Sequence, residues 1–179
     1  VTVTGDSGGG GDDDWGVGVE DWGEYYFTPF VDATLWPPFS LAETSDLINQ
    51  NLFILGFVVD RTGSSCEASW GGFFDLDGWN FAHDFMFPLI EDNEMGHIRQ
   101  RGGDVMVSIG GSANVPLAVA CEDVDSLKSQ IRRIIESYEL THLDFDIEGI
   151  WLLDLESIDR RSQAIASLQS DFIEEARIV

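Results

Sequence analysis

The chain has 179 residues, 44% of them apolar and 12% aromatic, which is enough for one domain with a real core. Its 33 acidic residues against 9 basic ones give a formal net charge of -24, which argues against nucleic acid and anionic membranes as partners. Lys128 is the only lysine. This composition indicates adaptation to high salt, which screens self-repulsion.

The N-terminal residues predict a boundary between modules. Residues 1–5 read as the last strand of a preceding β-sandwich, and residues 6–24, rich in Gly and Asp, as a flexible acidic linker. Residues 25–179 then form the main domain. The chain has no initiator Met, no signal peptide and no apolar run long enough to span a bilayer, so we expect that Val1 is not the native start.

Apolar runs and amphipathic stretches alternate along this domain and predict an α/β fold. We predict strands at Tyr25–Leu35, Asn51–Asp60, Val105–Ile109 and Thr141–Gly149. Helices are predicted at Thr44–Asn51, Asn80–Arg101 (in two pieces around Pro88), Asp123–Glu139 and Ser157–Glu175, and a long loop at Arg61–Asn80. Strands that alternate with helices favour right-handed parallel βα units. Asp123–Glu139 is the clearest helix, with one apolar stripe and Asp123 as its N-cap.

Three carboxylates recur at every second residue of the last predicted strand, at Asp144, Asp146 and Glu148. Alternate residues of a strand face the same side, so the acids should form a column on one face, with Leu143, Phe145 and Ile147 on the other. Adjacent carboxylates do not all ionise cheaply, so we expect at least one raised pKa, as a general acid requires. The alternative is an edge strand with a solvated acidic face.

Two motifs in the chain resemble those of a known enzyme family. Ser108-x-Gly110-Gly111, followed by Asp144-x-Asp146-x-Glu148, resembles glycoside hydrolase family 18, the chitinases, and the segments Val31–Pro37 and Cys66–Gly72 are similar to its bacterial and archaeal secreted members. The resemblance runs from about Tyr26 to about Leu168. One departure is that Thr141 and His142 stand where the family usually has Asp and Gly, which removes one supporting acid from those that tune the carboxyl pKa values.

The resemblance implies a parallel (β/α)8 TIM barrel, of which this chain covers about the first four βα units. It also implies hydrolysis of β-1,4 bonds between N-acetylglucosamine units, with retention and with the substrate's own acetamido oxygen as nucleophile. Glu148 would be the general acid, Asp146 would orient the acetamido group, and Asp144 would share a proton with Asp146. The implied partners are chitin or N-acetylglucosamine oligosaccharides, with no cofactor or metal.

Further residues are candidates for contacts with substrate. Ser108, Gly110 and Gly111 end the third strand, and the glycines would allow close backbone approach or simply make a tight turn. Trp36 and Trp70 lie on predicted loops, where their rings would stack on sugars or else fill the core.

The chain has two cysteines, Cys66 and Cys121. Their number alone is compatible either with a disulfide or with two buried thiols. The loops after the second and third strands are neighbours in the implied barrel, and the implied protein is secreted and extracellular. We therefore predict that these cysteines form a disulfide.

Two other functions remain open. An endo-β-N-acetylglucosaminidase would use the same acids, and a non-catalytic chitin-binding lectin can share the fold, since fold alone does not fix function. The acid at Glu148 favours an enzyme. Because a full barrel needs about 250 residues, we expect this chain alone to be incomplete as an enzyme and to be joined to further β-sandwich or carbohydrate-binding modules.

Overall fold

The computed structural model describes residues 22–23, 26–35, 37, 39–76 and 94–175. The predicted strand at 1–5, nearly all of the predicted linker, Trp36 and most of the predicted helical stretch Asn80–Arg101 lie outside these residues. Trp22, placed in the linker by the sequence, is described and is only 7% exposed. At least this part of the predicted linker therefore packs against the domain.

The described residues form a mixed α/β unit in which the predicted elements occur in the predicted order with shifted bounds, together with short strands and helices that the sequence did not predict. The strands are β1 (Phe30–Asp32), β2 (Leu52–Asp60), β3 (Ala68–Trp70), β4 (Phe74–Asp75), β5 (Asp104–Gly110) and β6 (Leu143–Asp146). The α-helices are α1 (Leu41–Ile48), α2 (Glu94–Gln100), α3 (Leu117–Ala120), α4 (Val124–Ser137) and α5 (Leu155–Glu174), and a 3-10 helix spans Gly149–Leu153.

Parallel pairing joins the strands that the sequence predicted. β1 and β5 both pair with β2, and β6 pairs with β5, all in parallel. Each of these strands therefore ends at the same edge of the sheet, and the loops that follow them are neighbours. The motifs at the C-terminal ends of β1, β2, β5 and β6 therefore lie close together in space.

The predicted loop Arg61–Asn80 contains a β-hairpin, so its prediction as a loop is wrong over Ala68–Asp75. β3 pairs antiparallel with β2 and β4 antiparallel with β3. β1 ends at Asp32, opposite Gly56, and β3 pairs with the next stretch of β2, Val58 to Asp60. The hairpin thus satisfies backbone groups of β2 that β1 is too short to reach.

The two faces of the sheet carry separate apolar clusters. Phe53 and Leu55 of β2 belong to the large cluster packed under the helices, whereas Ile54 and Met106 form a small one with Trp22. This division follows from the two-residue period of a strand. Helix α4 covers the large cluster with the predicted stripe, buried at Leu127, Ile131, Ile134 and Ile135, and the Asp123 carboxylate caps it by accepting from Ser126 N at 2.7 Å.

A buried ion pair fixes the start of β5 to the end of α4. Arg99 Nε donates to Asp104 Oδ1 at 2.8 Å, and both side chains are almost fully buried. Arg99 Nη2 also donates to the carbonyl oxygens of Tyr138 and Glu139, at 3.0 and 3.2 Å. These hydrogen bonds satisfy a charge that would be costly to bury unpaired. The network therefore fixes the position of the end of α4 relative to the start of β5.

Cys66 and Cys121 form a disulfide with Cα atoms 4.5 Å apart. It joins the loop after β2 to the residue after α3. The same loop is held by Asp60, whose carboxylate accepts from the backbone N–H groups of Gly63 at 2.6 Å and Glu67 at 2.8 Å. Burial opposes ionisation of Asp60, but backbone hydrogen bonds, that of Glu67 foremost, outweigh it and lower its pKa.

Candidate active site

The acidic residues lie at the C-terminal end of β6. Asp144 and Asp146 alternate with Leu143 and Phe145, which pack against the large core cluster. The two carboxylates therefore lie on the opposite face of the sheet from the helices. The strand ends at Asp146, three residues earlier than predicted.

Glu148 lies beyond the strand, directly before the 3-10 helix, and its backbone is still extended at φ -125° and ψ 165°. The side chain of Glu148 is exposed, whereas Asp144 and Asp146 are half-buried. The third acid of the column is thus the one open to solvent and to a bound molecule. This is the position that a proton donor to substrate needs.

The negative charge of Asp146 is the largest influence on Glu148. It raises the pKa of Glu148 above its usual range, with smaller contributions from desolvation and from a hydrogen bond with the Asp146 side chain. Like charges held together disfavour the second ionisation, so Glu148 keeps its proton to higher pH than an isolated glutamate. The expectation of at least one raised pKa in the column agrees with this shift.

Ser108 supports the acids from the neighbouring strand. It lies opposite Asp144 in the β5–β6 pair, and its hydroxyl donates to Asp144 Oδ2 at 2.7 Å. Ser108 is fully buried, so in this structure it does not reach a substrate, and the prediction that it binds one directly is wrong. Its hydrogen bond instead fixes the orientation of the Asp144 carboxylate.

Gly110 and Gly111 let the ends of β5 and β6 approach each other. A Cβ at Gly110 would overlap the backbone carbonyl of Asp146, and one at Gly111 would lie 3.0 Å from the ring of Phe57. Gly111 N donates to Asp146 O at 2.8 Å. Both glycines have positive φ, 127° and 93°. Their absent side chains therefore position the backbone of Asp146, in agreement with the predicted close approach.

Trp70 cannot stack on a sugar in this structure, so its prediction as a substrate-binding residue is wrong. It lies in β3 and is 0% exposed. Its Nε1 donates to the Tyr138 hydroxyl at 2.8 Å, and that hydroxyl donates to Leu76 O at 3.1 Å. The predicted loop is a strand here, and the indole fills the core between the hairpin and α4.

Thr141 and His142, which depart from the family pattern, directly precede β6 and lie at the opposite end of this strand from Glu148. Thr141 Oγ1 donates to Asp104 Oδ2 at 3.3 Å and lies 2.9 Å from His142 Nδ1. The ring of Trp22 contacts that of His142 with centroids 4.6 Å apart. Burial lowers the pKa of His142, although the charge of Asp104 opposes this. The aromatic contact thus packs Trp22 against the start of the acidic face.

Sequence reasoning missed two residues that line a cleft together with Gly110 and Gly111. Asp32, at the end of β1, accepts from Thr34 N at 2.8 Å and from Thr34 Oγ1 at 2.6 Å. Phe73, in the turn between β3 and β4, is 74% exposed. The position of Asp32 at the end of the first strand could have identified it, whereas Phe73 required knowledge of the hairpin.

Over the described ranges, no group of three or more His, Cys, Asp or Glu side chains is placed to hold a metal ion. Within these same ranges, no helix is both long and apolar enough to cross a membrane.

Two curated proteins are similar to most of this chain. A probable bifunctional chitinase/lysozyme of Escherichia coli (strain K12) is 35% identical over 162 residues, which are 90% of this chain and 17% of that protein. Endochitinase 11 of Metarhizium anisopliae is 32% identical over 163 residues, 90% of this chain and 28% of that protein. The chain thus spans less than a third of either relative. No protein-family model matches it.

The fold is similar to a solved chitinase domain. The catalytic domain of the hyperthermophilic chitinase from Pyrococcus furiosus superposes with a TM-score of 0.68 at 24% identity, over 86% of this chain and 45% of that one. The described α/β unit therefore has the fold of about half of that catalytic domain. The names of the curated relatives support the resemblance to family 18 that the acidic motif indicated.

Proposed function

We propose that this chain is the N-terminal part of a family 18 catalytic domain, and that the protein hydrolyses β-1,4 bonds between N-acetylglucosamine units of chitin. The observation that carries the proposal is the column of Asp144, Asp146 and Glu148, with the pKa of Glu148 raised by its neighbour. The chitinase relatives support the same activity and the same substrate class.

The proposed first step cleaves the glycosidic bond. Glu148 donates its proton to the leaving oxygen, and the acetamido oxygen of the substrate attacks the anomeric carbon as the carbon–oxygen bond breaks. Asp146 accepts a hydrogen bond from the acetamido N–H, and its charge stabilises the positive oxazolinium ion that forms. Asp144, oriented by Ser108, shares a proton with Asp146.

The second step returns the enzyme to its starting state. The Glu148 carboxylate removes a proton from water, and this water attacks the same anomeric carbon. The attack opens the oxazolinium ring and restores the acetamido group. Two displacements on one carbon give retention of configuration. The raised pKa of Glu148 suits both steps, since the group must give up and regain a proton near neutral pH.

We also propose that the complete domain is a (β/α)8 barrel. The parallel strands β1, β2, β5 and β6 would supply its first four strands, and the half-length match to the Pyrococcus domain fits this count. β6 is an end of the described sheet, where the next strand of a barrel would pair. The disulfide favours an oxidising, extracellular location.

The test is hydrolysis of a chromogenic chitobioside and of chitin oligomers by the full-length protein that contains this chain, as wild type and as Glu148→Gln. We expect the variant to bind oligomers but lose several powers of ten in kcat, the scale of removing a positioned acid with its charge. Glu156→Gln, at an exposed glutamate in the first turn of α5, is the matched control and should retain wild-type rates.

Two outcomes would redirect the proposal. Oligomer binding by the wild-type protein with no more hydrolysis than Glu148→Gln would indicate a lectin. Release of glycans from glycoproteins without cleavage of chitin oligomers would indicate an endo-β-N-acetylglucosaminidase.

A further inference from the structure

A positively charged side chain lies on the core-facing side of α5. The buried residues of this helix are Ser157, Ala164, Leu168 and Phe172, and their spacing traces a single face. Arg161 falls on the same face, between Ser157 and Ala164 in the helical pattern. Apolar side chains are the usual occupants of such a position, so a guanidinium there needs a polar partner.

Arg161 lacks that partner in the part of the chain that the structure describes, where it forms no hydrogen bond and no ion pair. It lines a small cavity whose other lining residues are all apolar, among them Ile109, Phe145 and Ile147. Burial lowers the pKa of Arg161. An unpaired charge in apolar surroundings is costly, because the water lost on burial is not replaced by another polar group.

Other basic side chains of the chain do have acidic partners. Each of five lies within 3.2 Å of a carboxylate oxygen: Arg61, Arg99, Arg101, Lys128 and Arg132. Acids are abundant in this sequence, at 33 against 9 basic residues. A core-facing Arg161 without one therefore leads us to look for its acid outside the described residues.

The edge of the sheet nearest to Arg161 is open. In the described sheet, β6 is an end strand and pairs with β5, so the backbone groups on its other edge are available to a further strand. Phe145 belongs to β6 and Ile147 directly follows it, and both line the cavity of Arg161. A strand added to β6 would therefore pass close to the guanidinium.

Apolar surface at the same edge is uncovered. A groove of about 220 Å³ lies between β6, α4 and α5, and its lining includes Leu143, Phe145, Ile165, Leu168 and Phe172. The segment after β6 adds three exposed aliphatic side chains, Ile150, Leu153 and Leu155, at 72%, 82% and 75% exposure. Contiguous apolar surface of this kind marks a face that another element covers.

A further βα unit of the same domain fits this face better than a second copy of the chain. The described fold matches 45% of the Pyrococcus furiosus catalytic domain, and the rest of a domain of that size would begin at the β6 edge. A second copy would bring another net charge of -24 to the interface, which opposes association.

We propose that Arg161 forms an ion pair with a carboxylate of the next βα unit of the domain, whose strand pairs with the free edge of β6. This inference rests on the proposed function, because it takes the continuation of the barrel from it. Arg161 thereby joins the two halves of the catalytic domain and takes no part in the chemistry at Glu148.

Zero-length cross-linking of the full-length protein that contains this chain identifies the acid. Arg161→Lys keeps the positive charge and introduces a primary amine, which a carbodiimide joins by an amide bond to a carboxylate in contact with it. Lys128 is the only lysine of this chain, and its amine lies 2.6 Å from Asp171, so a cross-link between these two is the internal positive control. We expect mass spectrometry to show a further cross-link, from position 161 to an Asp or Glu beyond residue 179 of the same molecule.

Thermal unfolding of the full-length protein measures the contribution of the ion pair. Arg161→Met should lower the melting temperature by about 5 °C, because it leaves the acid buried and unpaired. Replacing the cross-linked acid by its amide should have a similar effect, and the double variant should lose no more than either single variant. Arg101→Met, which removes an exposed ion pair with Asp46, is the matched control and should change the melting temperature by less than about 1 °C.

The outcomes separate this inference from the proposed function. If the control cross-link forms but position 161 joins no acid, an acid within residues 1–179, or an acid of a second copy, the ion pair is overturned, and hydrolysis that depends on Glu148 still supports the proposed function. If position 161 joins an acid beyond residue 179 and the protein hydrolyses no substrate, the ion pair stands and the proposed activity is overturned. Additive losses in the double variant would also overturn the ion pair.

Discussion

Ser108 on β5 and Asp144 on β6 are joined across the strand pair by a hydrogen bond of 2.7 Å from hydroxyl to carboxylate. The serine is fully buried and the aspartate half-buried. A motif residue that the sequence suggested as a ligand for substrate is thus a positioning residue for an acid. The two family motifs are thereby parts of one hydrogen-bonded unit.

Ser108→Ala should lower both stability and rate. The variant removes a donor to a carboxylate in a partly buried site, which costs about 1–3 kcal/mol of unfolding free energy. We also expect kcat to fall about tenfold with KM little changed, because Asp144 loses its fixed orientation. Urea unfolding and steady-state kinetics measure the two effects. Ser129→Ala, on the exposed side of α4, is the control, and a kinetic loss of equal size there would contradict the positioning role.

The pH dependence of activity should report the interaction of Asp146 with Glu148. A general acid works while protonated, so activity should fall as pH rises through the pKa of Glu148. That pKa is raised mainly by the charge of Asp146, and Asp146→Asn should therefore move the alkaline limb to lower pH, with a large drop in kcat.

Carbon NMR of the Glu148 carboxyl group measures the same shift independently of activity. Asp125→Asn, an exposed change in the first turn of α4, should leave the Glu148 titration unaltered. An alkaline limb that stays in place in Asp146→Asn would show that another group controls it.

Tyr138→Phe should destabilise the fold without affecting sugar binding. The phenol accepts from Trp70 Nε1 and donates to Leu76 O, so its removal leaves a buried donor and a buried acceptor unpaired, at about 1–3 kcal/mol. Denaturant unfolding measures this loss. Tyr26→Phe, at a tyrosine that is 49% exposed, is the matched control and should change stability by less than about 0.5 kcal/mol.

Loss of the disulfide should destabilise the protein substantially. The bond closes a loop with a sequence separation of 55, for which chain entropy gives about 4 kcal/mol. Cys66→Ser/Cys121→Ser should therefore unfold at lower urea than the oxidised wild type, and reduced wild type should match the double variant. Alkylation of both cysteines in the unreduced, unfolded protein would contradict the bond.

Salt should stabilise the folded protein. With a net charge of -24, the compact state repels itself, and the screening length falls from about 30 Å at 0.01 M to about 3 Å at 1 M salt. We expect the melting temperature to rise by several degrees between these limits in both NaCl and KCl. A flat or falling melting temperature would mean that self-repulsion does not limit stability.

The sequence by itself determined the local features whose signal is periodic. The 3.6-residue recurrence of apolar residues located α4, with its Asp123 cap, and the two-residue alternation placed Asp144 and Asp146 opposite Leu143 and Phe145. These patterns are visible because an element buries one face whatever packs against it. The disulfide between Cys66 and Cys121 was likewise predicted, from the number of cysteines and from the neighbouring loops that the family resemblance implied.

Only the tertiary structure decided which groups each predicted site residue contacts. Trp70 and Phe73 are aromatic residues of the same Gly-rich stretch, yet one is in the core and the other in the cleft, because the β3–β4 hairpin turns between them. Ser108 and Asp144 are 36 residues apart along the chain, and only parallel register makes them partners. The pKa of Glu148 depends on the position of Asp146 in space. Burial and charge interaction depend on distances between residues remote in sequence, which composition and periodicity do not specify.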